Sequence, residues 1–291
     1  MIAHGKTDGR IGWLICKGVV FALFFLYAIS LLYPIFFTFL TSLRSQAAYD
    51  AGHVSFMGIE GFKSYLEAFE KMELGANTTS VWELILNSLW YTVGGCGASI
   101  IASAMTAYVV AKYRFRMRNF FYAMAIFTMS LPIVGQLPSQ FVIYQKLGIY
   151  NNPLLIFSFF GGFGFNFVVL YSCFKGISSE YAEAAFMDGA GHTRVFLQII
   201  LPHAMSVIGA LFMITCVNYW NDYLGPLLFL PDWPTLASGL YVYRTAAIRG
   251  GGVSMPVLYA GLLISALPIL LLYGIFSKQM MNMTFGGGLK G

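Results

Sequence analysis

Charge is what this sequence has least of. Asp, Glu, Lys and Arg make up 10% of the 291 residues and apolar types 58%, whereas a soluble domain carries roughly 25% charged residues. So few charges cannot cover a water-facing surface, which leaves a bilayer as the solvent. The scarcity is also patterned. Six intervals, 18–43, 84–111, 119–145, 147–174, 195–221 and 250–277, contain no Asp, Glu, Lys or Arg, and each exceeds the ~20 residues a helix needs to cross the hydrocarbon core. Pro34, Pro132, Pro138, Pro202 and Pro268 fall inside them, which a membrane bundle tolerates because neighbouring helices re-satisfy freed backbone groups. The pattern predicts an all-α membrane protein with six transmembrane helices.

Other shortages exclude chemistry. The four cysteines, Cys16, Cys96, Cys173 and Cys216, show no C-x-x-C spacing, and His4, His53, His192 and His203 form no i, i+4 pair; metal and redox roles find no support. No carboxylate lies inside the six intervals, so the proton or sodium site of a secondary transporter is missing. His203 has no carboxylate nearby in sequence, which argues against an intramembrane enzyme. Gly5-Lys6-Thr7 ends like a phosphate-binding loop but lacks the first glycine and the leading strand. The chain is therefore expected to hold no cofactor of its own. The net charge of +5 is dispersed among short loops, not gathered in a stripe, so nucleic acid is not an expected partner.

What charge there is reports topology. The N-terminus (Lys6, Arg10, Lys17), the second loop (Lys112, Arg114, Arg116, Arg118), the fourth (Lys175, Arg194) and the tail (Lys278, Lys290) hold eleven of the seventeen basic residues. The other side carries most of the acid, including Asp50, Glu60, Glu67, Glu70, Glu73, Glu83, Asp222 and Asp232. The positive-inside bias puts both termini in the cytoplasm. The first apolar run, Val19 to Leu43, is too long for a cleaved signal peptide and is read as a retained anchor. One domain, 1–291, is expected. In its outer loop, 44–83, Phe62, Tyr65, Leu66 and Phe69 recur at the spacing of an amphipathic surface helix.

The fourth loop is the most specific segment. Ser178 or Ser179 can cap a helix that carries Glu180 and Glu183 in its first turn, where the dipole favours negative charge. Asp188-Gly189 supplies the turn that ends it. A second short helix from about Thr193 leads to Leu201-Pro202 and back into the membrane. A helix-turn-helix elbow, about 178–202, is expected on the cytoplasmic side.

Glu183, Ala184, Ala185, Asp188, Gly189 and Ala190, followed by Phe196, Ile199, Leu201 and Pro202, resemble the E-A-A-x-x-D-G-A and F-x-x-I-x-L-P signature of ABC importer permeases. Asn87-Ser88-Leu89, Met129 to Pro132, Trp220-Asn221 with Pro226-Leu227, and the closing Gly286 to Gly291 are similar to the carbohydrate-uptake branch, particularly its smaller maltose-type subunit. The resemblance covers essentially the whole chain; Tyr181 and Phe186 depart from the elbow pattern. It implies a cell-membrane permease whose elbow sits in a groove of a separate ATPase dimer, which would bind ATP and Mg. It also implies a second permease subunit, a different chain, and an extracytoplasmic solute-binding protein. Gly288 and Lys290 would form a further contact of the tail with the ATPase.

Polar side chains at membrane depth are costly and face a bundle interior or an aqueous path. Gln136, Gln140, Asn166, Asn218, Trp220, Asn221 and Asp222 are the candidate substrate path. Amides and hydroxyls pair sugar hydroxyls, and aromatic rings cover a sugar's apolar face; buried amides that simply bridge helices are the competing explanation. No Lys or Arg lies mid-membrane to balance an anionic cargo. A sugar or oligosaccharide is the expected cargo, with a polyol phosphate or a polyamine as the alternatives.

Overall fold

An apolar helix needs lipid or an apolar neighbour on every side, and a computed structural model of the chain contains both arrangements. It describes residues 5–52, 58–71, 80–131, 135–249 and 254–286. The first helices are α1 (Gly5–Ser42), α2 (Gln46–Ala51), α3 (Lys63–Lys71), α4 (Val81–Lys112), α5 (Arg118–Ser130) and α6 (Gln136–Lys146). A 3₁₀ segment, Pro153–Phe159, precedes α7 (Phe165–Gly176), α8 (Glu180–Met187) and α9 (His192–Val195). A π turn, Phe196–Ile200, leads to α10 (Leu201–His203), α11 (Met205–Trp220), α12 (Leu224–Phe229), α13 (Leu236–Ile248) and α14 (Met255–Gly286). Among the described residues there is no strand, only a bridge between Arg44 and Ile59.

Among the described residues three helices are long and apolar enough to cross a membrane: Trp13–Ser42, Val81–Lys112 and Met255–Lys278. The pair His192–His203 and Met205–Trp220 meets the same condition jointly but bends by 77°. Interval 119–145 is not one continuous helix: it divides into α5 and α6 around Gly135, whose φ is +80°. Pro138 falls in the first turn of α6, where its missing N–H has no helical partner to lose. Interval 147–174 is likewise divided, because Pro153 starts the 3₁₀ segment and α7 begins only at Phe165.

Two compact units make up the chain. Met1–Lys71 with Ala246–Ile264 form the smaller, and Met72–Thr245 with Ser265–Gly291 the larger. In the smaller unit α1 exposes every side chain from Trp13 to Phe36, a surface with no charge beyond Lys17 and suited to lipid. Beyond it the chain is pinned by polar bonds. Buried Arg44 donates to the carbonyls of Ala48 and Gly52, Ser42 Oγ pairs with Tyr65 Oη at 2.8 Å, and the Met255 N–H donates to Gln46 Oε1 at 2.8 Å. The expected surface helix is α3, but its apolar pattern does not mark the buried face. Ala68 and Ser64 are buried and Tyr65 and Phe69 half-buried, while Phe62 and Leu66 are 64% and 66% exposed.

In the larger unit α4 packs along α7 and α11 through Cys96, Ile100, Ala104, Ala107 and Ala111. Small side chains let the backbones approach, which is what drives helix association where lipid is as apolar as leucine. Phe167, Leu170 and Phe174 of α7 and Leu211 of α11 fill the space left. At the other end of α4, Ser88 Oγ accepts from the buried Leu236 N–H at 2.7 Å, and Asn87 Nδ2 donates to Pro234 O at 3.0 Å. A buried donor left unpaired costs ~1–3 kcal/mol, so these two side chains fix the start of α13 against α4.

Candidate functional site

The elbow is built by local sequence. Ser178 Oγ accepts from the Glu180 N–H at 3.3 Å, and Glu180 and Glu183 occupy the first turn of α8. The helix ends at Asp188, and Gly189 follows at φ +79°. The Ala190 N–H then donates to Ala185 O at 2.9 Å and the Gly189 N–H to Phe186 O at 3.0 Å, the paired closing bonds of a Schellman turn. A Cβ at Gly189 would meet no atom within 4 Å. The left-handed backbone alone demands glycine there.

The two faces of α8 differ. Ala182, Ala185 and Ala190 pack against the core of the larger unit, whereas Glu183, Ala184, Met187, Asp188 and Gly189 are exposed, Met187 by 89%. The inward face is tied to the end of α4. Lys112 Nζ donates to Ile177 O, Tyr113 Oη pairs with His192 Nδ1 at 2.9 Å, and the Tyr108 ring lies 4.6 Å from that of Phe196. Phe186 sets its ring 4.9 Å from that of His192, at an interplanar angle of 63°. These ties were not legible in sequence, since Tyr113 and His192 are 79 residues apart.

The second short helix expected from about Thr193 is present but interrupted. Pro202 lacks the N–H that would bond Gln198 O; the backbone widens into the π turn and then bends by 77° at Ala204, beyond which α11 runs unbroken to Trp220.

A cavity of about 260 Å³ lies in the larger unit, lined by Tyr91, Gln140, Tyr144, Ser158, Phe159 and Asp222 among others. Asp222 Oδ2 accepts from Tyr91 Oη at 2.7 Å, and Oδ1 accepts from the N–H groups of Leu224 at 3.1 Å and Gly225 at 3.0 Å. The carboxylate thus caps α12 and orients the tyrosine. Edge-on contacts with Phe159 and Tyr219 hold the Tyr91 ring, at 5.4 and 5.9 Å.

Of the seven path candidates, only Gln140 and Asp222 share this cavity. Gln136 is exposed one turn before Gln140. Asn166 Nδ2 donates to Ser99 Oγ at 3.3 Å and Thr215 Oγ1 at 3.2 Å, bridging α7 to α4 and α11. Asn218 is exposed, and Asn221 Nδ2 donates back to Val217 O of its own helix. Trp220 corrects the sequence expectation: it is 3% exposed and its Nε1 donates to Ser265 O at 2.9 Å, bracing α11 on α14. An indole so enclosed faces neither a cargo nor a lipid interface. Tyr91, Tyr144 and Ser158 were not singled out in sequence, since only tertiary contacts bring them to Asp222. Gly288 and Lys290 lie outside the described residues.

Residues 99–280 match the family described as the inner membrane component of binding-protein-dependent transport systems. Probable ABC transporter permease protein YurM of Bacillus subtilis is 26% identical over 290 residues, 98% of this chain and 93% of that protein. Diacetylchitobiose uptake system permease protein NgcG of Streptomyces coelicolor is 26% identical over 89% of this chain and 84% of its own. The sn-glycerol-3-phosphate transport system permease protein UgpE of Escherichia coli is 30% identical over 69% and 72%. A chain in the crystal structure of a bacterial ABC transporter that imports the acidic polysaccharide alginate superposes with a TM-score of 0.74 at 26% identity, covering 96% of this chain and 99% of that one.

The placement of Trp220 has a measurable consequence. Truncating a buried tryptophan costs ~3–5 kcal/mol, so Trp220→Ala should lower the amount of folded protein recovered from membranes. Transport per recovered molecule should stay at the parent level. Slower transport at unchanged recovery would return Trp220 to the path.

Proposed function

This chain belongs to the family of inner membrane components of binding-protein-dependent transport systems, and from that premise we propose that it moves a saccharide as a permease subunit of an ATP-driven importer. The observation that carries this reading is the exposed face of α8, closed by the turn at Gly189 and tied at its back to α4. A separate ATPase dimer, which binds ATP and Mg, docks on Glu183, Ala184, Asp188 and Gly189, while Ala185 and Ala190 seat the helix on the bundle. Gly288 and Lys290 make the second contact of the tail. A second, different permease subunit and an extracytoplasmic solute-binding protein complete the assembly. Relatives named for diacetylchitobiose and arabinooligosaccharide uptake support the saccharide.

In this reading the chain crosses a bacterial cytoplasmic membrane six times, with α5 with α6 and the 3₁₀ segment with α7 supplying the divided crossings. Both termini and the elbow are cytoplasmic. Single cysteines at Glu67 and Asp232 should react with an impermeant thiol reagent added to intact cells, and one at Arg116 should stay unlabelled. Labelling at Arg116 would reverse the orientation.

ATP-driven closure of the ATPase pair pulls the elbow, and α4 carries that displacement to the cavity. An equilibrium shifts only by the difference in affinity for its two states, so ATP and the loaded binding protein must both prefer the outward-facing one. Gly189→Val should strain the turn by about 1–3 kcal/mol and re-aim α8; Glu183→Lys should oppose the helix dipole. Both variants should insert normally yet lose most cargo-stimulated ATP hydrolysis and uptake. Parent-level uptake in both would remove the elbow from the coupling.

A further inference from the structure

We propose that the cavity at Tyr91, Gln140 and Asp222 is a subsite for one uncharged sugar ring and rejects anionic cargo. This rests on the permease reading above and narrows its substrate class. Similarity leaves the charge of the cargo open, since relatives are named both for a neutral disaccharide and for a phosphorylated polyol.

Size sets the first limit. At about 260 Å³ the cavity sits just below the ~300–1,000 Å³ of ordinary ligand pockets, room for one ring of a longer chain. Its walls combine apolar and aromatic surface from Tyr144, Leu155, Phe159 and Phe229 with polar groups from Gln140, Ser158 and Asp222. That pairing suits a pyranose, with one apolar face and a rim of hydroxyls.

Hydrogen-bonding capacity decides the charge. An ionised carboxylate has about four lone-pair sites, and Asp222 spends three on Tyr91, Leu224 and Gly225, leaving an acceptor for a cargo hydroxyl. Ser158 Oγ already donates to Leu155 O, so it too offers only lone pairs. Among the lining side chains the uncommitted donors are those of Gln140 and Tyr144. A phosphate or carboxylate, which only accepts, would find few donors and one fixed negative charge, with no Lys or Arg in the lining. A neutral polyol finds what it needs. Gly225 belongs to the same design, because a Cβ there would fall 2.5 Å from Asp222 Oδ2 and 2.8 Å from Tyr91 Oη.

The test uses the complete importer in lipid nanodiscs, with Cys16→Ser and Cys173→Ser as background and Ser158→Cys as the reporter. Neutral methyl methanethiosulfonate and anionic sulfonatoethyl methanethiosulfonate are compared, each rate divided by that with N-acetylcysteine. The anionic reagent should lag by at least about tenfold, which is what a unit charge ~12 Å away gives at an effective dielectric of roughly 20. In Asp222→Asn, whose amide can keep the contacts with Tyr91, Leu224 and Gly225, the lag should largely vanish. Methyl glucopyranoside should protect the reporter, and glucuronate at the same concentration should not. Equal rates, a lag unchanged in Asp222→Asn, no reaction with either reagent, or no protection by the neutral sugar would each overturn the proposal. ATP-driven uptake by the unsubstituted importer is read separately: its absence would sink the permease reading, whereas uptake with failed labelling would sink the subsite alone.

Discussion

Inside hydrocarbon no water is available to pair a stray N–H or C=O, so backbone groups freed by a break in a membrane helix need partners within the protein. Helix α4 is where that constraint is met for several segments at once. Ser88 takes the Leu236 N–H, Asn87 donates to Pro234 O, and Thr106 Oγ1 lies 2.7 Å from Gly162 O, a carbonyl in the irregular stretch before α7. The break in interval 147–174 thus has a carbonyl paired by α4, beside the stripe of small residues on which α7 packs. Without them α7, α11 and α13 would have no common surface to pack on.

The same helix joins the two functional regions. Its C-terminal end holds the elbow through Lys112 and Tyr113, and its N-terminal half holds Asp222 through Tyr91. Twenty-one residues separate Tyr91 from Lys112, about 32 Å at 1.5 Å per residue. A helix buried along one side over that length behaves as a rod. In the importer proposed above, elbow, α4 and cavity wall would then move as one body, and work done on the exposed face of α8 would reach the cavity without an intervening hinge.

Legibility in the sequence tracks the range of the interactions involved. The turn at Gly189 and the cap at Ser178 are local and were readable from a few residues, as was the long apolar reach of α1, α4 and α14. The divisions at Gly135 and Pro153 were harder, because Pro and Gly in an apolar run are compatible with either a kinked or a broken helix, and only the packing around them decides. Trp220 shows the same ambiguity in a side chain: beside Asn221 and Asp222 it reads as part of a polar site, yet its Nε1 finds Ser265 on a helix 45 residues away. The Tyr91 to Asp222 bond spans 131 residues, and no spacing rule connects positions that far apart. The surface helix α3 erred in the opposite sense, since its apolar stripe was legible and its buried face, built on Ser64 and Ala68, was not.

The claim of a rigid connection is tested most directly by a distance. Spin labels at Leu86, which is exposed on α4, and at Met187, which is exposed on the elbow, can be compared in the assembled importer with and without a non-hydrolysable ATP analogue. The account predicts one unchanged distance distribution in both states, even as the elbow moves relative to the ATPase. A shift approaching one helical turn, ~5.4 Å, would mean that the elbow hinges on α4 and that the ties at Lys112 and Tyr113 do not transmit the motion.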